Sequence, residues 1–241
     1  MRKVLEFEGV LTHVPVSRFA DGSLTFFGDD CTADAPSVSE IHESPILAWI
    51  LGQGAVRSLL TRKMCVDSQS QDFLGIAGPV IEKPTAVPGD VDWLAIPPGH
   101  PEVSIAVECK RVKVVPTANG RDRVNKIPSL GRGVVQANGL AGLGFHRCFL
   151  MVIVEADGRT RTEFGHPFRG ATHETFRQIY DFPQRESLHE DVGVVFVEVV
   201  QPSGRSIDEL AYVAVCVDRD AKPREQSPRV TSRIRSLLTM R

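Results

Sequence analysis

The sequence predicts an α/β fold: a mixed central β-sheet flanked by helices, with a β extension at the N-terminus and α+β additions at the C-terminus. Three observations lead there. Between residues 37 and 155 the apolar patterns run helix, strand, strand, strand, helix, strand. The second and third strands are joined by Pro97-Pro98-Gly99-His100-Pro101, a tight turn, whereas a helix separates the third from the fourth and forces a crossover. The fourth strand, RCFLMVIVEA, is a run of apolar and β-branched residues, the pattern of a strand buried on both faces at the sheet centre. Residues 1–36 form the extension, 37–156 the core and 157–241 the remainder, all within one compact domain.

Each element has its own signal. VLEFEGVLTHV and SLTFF near the start read as short strands broken at Asp21-Gly22. In SVSEIHESPILAWILGQGAVRSLLTRK, Ile46, Leu47, Ile50, Leu51, Val56, Leu59 and Leu60 recur at helical spacing. Two starts compete there: Ser37 with Glu40 as a capping box, and Ser44 with Pro45 as cap and first-turn proline, the second being favoured. DFLGIAGPVIE is a strand bent at Gly78-Pro79, and strands follow near 90–96 and 103–110. The polar stretch after Lys110 reads as a long loop. GRGVVQANGLAGLGF is a small-residue helix ending at Gly142 or Gly144, with GQG at 52–54 and GLAGLG read as helix packing and capping and not as nucleotide loops. HETFRQIY is a short helix, VGVVFVEVV and AYVAVCV are strands, and SPRVTSRIRSLLTMR is a basic terminal helix.

Composition narrows the function. The chain has 241 residues, 42% of them apolar, and a net charge of −2, so a sizeable core is available and any basic surface is local. Five scattered cysteines without a CxxC pair argue against disulfides and structural zinc. Charges in the first residues and the lack of a long apolar run lead to the expectation of a cytoplasmic protein with no membrane partner.

The chemistry concentrates in VDWLAIPPGHPEVSIAVECK, residues 91–110. Strand alternation puts Val103, Ile105, Val107 and Cys109 on one face, and Ser104, Ala106, Glu108 and Lys110 on the other. The turn lets Asp92 lie beside Glu108, and two converging carboxylates repel unless a cation lies between them. Mg2+, with Mn2+ as a substitute, takes carboxylate oxygens, waters and phosphate oxygens, and a neighbouring lysine can orient or help deprotonate water and offset charge on the phosphorane. The three side chains serve the site and not the core, so their removal is expected to spare stability. Asp90 reads as a turn residue after Pro88-Gly89.

Asp92 on one strand with Glu108-Cys109-Lys110 on the next resembles the PD-(D/E)xK nuclease superfamily, and the helix and strand order resembles its restriction-endonuclease-like α-β-β-β-α-β core. The resemblance implies that Asp92 and Glu108 are metal ligands and Lys110 the catalytic lysine. It also implies an acid from the first helix, Glu43 ahead of Glu40, and a glutamine on the following helix, Gln136. The RecB-like branch carries an aromatic four residues after that glutamine, where this chain has Leu140.

From Lys110 to Arg132 there are seven basic residues and one acid, Asp122. A solvated loop is the plain reading; phosphate contacts by Arg111, Lys113, Arg121, Arg123, Lys126 and Arg132 are the functional one. Arg229, Arg233 and Arg235 of the terminal helix are weaker candidates. Together these features predict a Mg2+-dependent nuclease acting on nucleic acid, DNA first, with a homodimer compatible. The alternative is a catalytically silent nuclease-like module that binds nucleic acid or a protein.

Overall fold

The computed structural model describes residues 5–13, 17–18, 24–25, 42–77, 80, 89–116, 122–157, 173–201 and 210–240. Ten strands and five α-helices are present among them: β1 Glu8–His13, β2 Ser17–Arg18, β3 Leu24–Thr25, α1 Glu43–Gly52, α2 Gly54–Lys63, β4 Gln71–Ile76, β5 Val91–Ile96, β6 Ile105–Pro116, β7 Asp122–Asn125, α3 Ile127–Leu143, β8 Arg147–Asp157, α4 His173–Tyr180, β9 Gly193–Gln201, β10 Leu210–Arg219 and α5 Pro228–Thr239.

Eight strands make one mixed sheet in the order β1-β10-β9-β8-β6-β5-β4, with β7 added to β6. β4, β5 and β6 are antiparallel neighbours, and the crossover through α3 brings β8 back parallel to β6. β9 continues parallel, and β10 and β1 complete the sheet antiparallel. RCFLMVIVEA lies at the centre as expected, with every residue from Cys148 to Ala156 buried.

Helices cover both faces because the two alternating faces of the central strands are both apolar. On one face Ile46, Ile50, Val56 and Leu60 of α1 and α2 pack with Trp93, Val107, Met151 and Val195. On the other, Leu130, Val134, Ala137 and Leu140 of α3, Ile179 of α4 and Ile234 of α5 pack with Leu94, Ala106, Leu150, Val152 and Phe196. None of the described helices is long and apolar enough to cross a membrane.

The structure corrects the sequence expectations at several elements. The single helix over 45–63 is two: Gln53, at ψ 104°, leaves helical geometry and divides α1 from α2. α1 starts at Glu43, so Pro45 lies inside the first turn, where a missing N–H costs no helical bond. The stretch after Lys110 is not a long loop: β6 continues to Pro116 and β7 pairs back onto it from Lys113↔Asn125 to Pro116↔Asp122. The third strand begins at Ile105, with Val103 in a 3-10 turn. β1 is built into the main sheet, where Val10 faces Val213 on β10.

Candidate active site

The site forms where β6 loses a neighbour. β8 runs along one edge of β6 from Ile105 to Val114. On the other edge β5 pairs only as far as Trp93↔Val107, and β7 begins at Lys113↔Asn125. Among the described residues no strand covers that edge between these points, so amides of β6 need other acceptors. Two carboxylates supply them. Asp92 Oδ2, just beyond the last β5 pair, accepts from Cys109 N at 2.7 Å. Glu43 Oε2, at the start of α1, accepts from Arg111 N at 2.9 Å.

Lys110 stands between these carboxylates. Its Nζ lies 2.5 Å from Glu108 Oε1, 3.3 Å from Glu43 Oε1 and 4.0 Å from Asp92 Oδ2. It also donates to the Cys109 carbonyl oxygen at 2.6 Å. A single ammonium is thus ringed by oxygens from β5, β6 and the N-terminal end of α1, a hard-donor set without sulfur or nitrogen. Glu108 is fully buried, and its contact with Lys110 is an ion pair outside hydrogen-bond alignment, so both carboxylate oxygens lack an aligned donor. Among the described residues no three His, Cys, Asp or Glu side chains are already gathered as a metal ligand set; here the ammonium occupies the ground between the acids.

Burial and crowding shift the protonation of the group. Burial pushes Glu108 up to about 8, reinforced by Asp92 and opposed by Lys110. Asp92 rises to about 6, again through burial first, against the Cys109 amide and Lys110. For Lys110 burial is the largest influence and works against its charge, but the surrounding carboxylates together outweigh it and raise its proton affinity.

The face of β6 that carries Glu108 and Lys110 lies beneath α3. At Gly133 the helix backbone comes close to it: a Cβ there would meet Lys110 Cγ at 2.5 Å. Gln136, three residues on, is half-buried on the flank of α3 and forms no hydrogen bond with Asp92, Glu108 or Lys110 among the described residues. Leu140, at the position of the RecB-like aromatic, is buried core. Asp90 precedes β5 and raises the proton affinity of Asp92 through its charge.

The basic residues part company. Arg111 is buried, its Nη1 3.6 Å from Glu155 Oε2 across the β6–β8 boundary. Lys113 is half-buried, while Arg123, Lys126 and Arg132 are exposed on β7 and around the start of α3. Arg121 and Glu40 lie outside the described residues. In α5, Arg229 and Arg235 are exposed and Arg233 donates to the Val80 carbonyl.

The sequence reading missed three participants. The Cys109 carbonyl is backbone and leaves no trace in residue type. Glu155, fully buried and pushed up to about 8 chiefly by burial, stands near the end of a run read as apolar with polar residues only at its bounds. Gly133 had a signal in the spacing of Ser129, Gly133 and Ala137, small residues four apart on one helix face. Comparison of the chain with protein-family models, with curated proteins and with solved structures gives no match, so the geometry of this site is what its function has to be argued from.

Proposed function

We propose that the chain is a metal-dependent nuclease of the PD-(D/E)xK kind, with the restriction-endonuclease-like core, hydrolysing phosphodiester bonds in nucleic acid and in DNA first. The observation that carries the reading is the all-oxygen ring around Lys110 Nζ at the parting of β5 and β6. The element order α1-α2, β4, β5, β6, β7, α3, β8, in which β4 to β6 form an antiparallel meander and β8 returns parallel to β6, supports it.

The donor set fits a hard divalent cation. Asp92 and Glu108 would hold it, with Glu43 and the Cys109 carbonyl as further oxygens, and the buried carboxylate of Glu108, ion-paired to Lys110 but without an aligned hydrogen-bond donor, is the acceptor that such an ion would satisfy. Bound there, Mg2+ or Mn2+ supplies charge against the phosphate and acidifies the attacking water. Asp92 also fixes the strand ends by holding the Cys109 amide. Lys110, its proton held more firmly than usual, stays charged at neutral pH, so it orients water and offsets charge growing on phosphate oxygens instead of serving as the base. Arg123, Lys126 and Arg132 present exposed charge to the phosphate backbone. Gln136 sits one flank away from these events.

The test keeps shape and removes charge. Asp92→Asn, Glu108→Gln and Lys110→Met should each lower plasmid cleavage by about 100-fold or more while remaining folded. Wild-type rates in all three would contradict the assignment. One observation favours the silent-module alternative: the Lys110 ammonium already places a positive charge among the acids without a metal. That reading requires nucleic acid to bind equally in chelator and in Mg2+, with no strand cut.

A further inference from the structure

We propose that Gly133 is a positioning residue for Lys110, and that the bare backbone of α3 at this point keeps the ammonium among the carboxylates. The catalytic consequence rests on the nuclease reading; the geometry does not.

Lysine is seldom buried, because its ammonium seeks water and its stem is flexible. Lys110 nevertheless has a side chain only 11% exposed, with Nζ 2.5 Å from Glu108 and 2.6 Å from the Cys109 carbonyl. Something must confine the stem on the side away from the sheet, and α3 lies there. At residue 133 an added Cβ would meet Lys110 Cγ at 2.5 Å, Lys110 Cδ at 3.4 Å and Leu150 Cδ1 at 3.0 Å. Other glycines of the same helix differ: at Gly131 the nearest atom would be 3.4 Å away, and at Gly142 nothing lies within 4 Å. Glycine inside a helix forgoes backbone order that alanine would favour. At Gly133, unlike Gly131 and Gly142, the structure gives a steric reason to accept that cost.

An alanine would force the stem to yield by about 0.9 Å to recover an ordinary contact, or force α3 outward. Movement at Cγ is carried along the remaining bonds to Nζ, and so to its place among the oxygens of Glu108, Glu43, Asp92 and the Cys109 carbonyl. A misplacement of about 1 Å in a catalytic group can cost about 100-fold in rate.

Three measurements on Gly133→Ala test this. Labelling of Lys110 by acetic anhydride, followed by mass spectrometry of the folded protein, should rise several-fold as the ammonium leaves its ion pairs. For DNA cleavage in Mg2+, kcat should fall by about 10- to 100-fold with KM held within about two-fold. In a Lys110→Ala background, where the Cγ is absent, adding Gly133→Ala should be neutral or raise Tm, whereas with Lys110 present it lowers Tm. If Gly133→Ala alone does not fold, the labelling is read in Gly133→Ala with Leu150→Ala, which removes the second close contact. Unchanged labelling and kcat in a folded variant would overturn the proposal. So would an equal Tm decrease with and without the lysine stem, since the contact with Leu150 alone would then matter. A wild-type protein that cuts nothing overturns the nuclease reading instead, and leaves labelling and the stability comparison to decide the positioning role.

Discussion

Glu108 is a fully buried acid without an aligned donor, pushed up to about 8. When burial raises the pKa of an acid, the folded state holds the proton more tightly than the unfolded chain does, so stability falls as pH rises from the ordinary value of 4.5 through the folded one. Asp92, raised to about 6, and Glu155, raised to about 8, act in the same direction. Glu108→Gln removes the largest part of this at the site. Without divalent ions its Tm should exceed that of the wild type at about pH 8.5, at about 2–4 °C per kcal/mol for a chain of this size, and the gap should close toward about pH 5. Coincident Tm curves across that range would show that Glu108 is not desolvated as described. Asp92, Glu108 and Lys110 were legible because alternation along a strand is a strict period of two. The expectation that they serve the site and not the fold is too simple: Asp92 caps the Cys109 amide, and an alanine there orphans a backbone donor at a cost of about 1–3 kcal/mol.

At the scale of elements, the hairpin of β6 and β7 decides which basic residues face solvent. The density of charge and the weak apolar period make this stretch read as loop, yet Val112 and Val114 continue the face of β6 that packs under α3, and the strand pairs on as far as Pro116. Burial by sheet pairing overrides local polarity here, and it turns Arg111 inward to Glu155 while Arg123, Lys126 and Arg132 remain outside. Replacing those three exposed residues with glutamine should weaken binding to every duplex alike. The slope of log K against log salt should flatten by about 0.9 for each phosphate no longer neutralised. An unchanged slope would make the hairpin an ordinary solvated surface. The split of α1 from α2 at Gln53 did leave a trace that the overall helical spacing masked: across Gly52 and Gly54 the apolar set slips by about 200° in helical phase between Leu51 and Val56.

At the scale of the molecule, the order of the core elements was legible since each is local, and the crossover rule fixes β8 parallel to β6. The pairing of β1 with β10 was not, because it joins residues such as Val10 and Val213 that no local pattern connects. Of the oxygen ring, Asp92, Glu108 and Glu43 were named from the sequence, whereas the Cys109 carbonyl and the seat of the Lys110 ammonium among them were not. That ring makes cation chemistry the central claim, and one assay addresses it: binding and nicking of supercoiled plasmid followed together in chelator, Ca2+, Mg2+ and Mn2+. Ca2+ and Mg2+ both screen the acids from phosphate, but the tighter octahedral shell of Mg2+ fixes a nucleophile better than the looser shell of Ca2+. The expected result is tighter binding in all three ions than in chelator, with nicking in Mg2+ and Mn2+ alone; equal binding in chelator and in Ca2+, with intact plasmid in every metal, would contradict it.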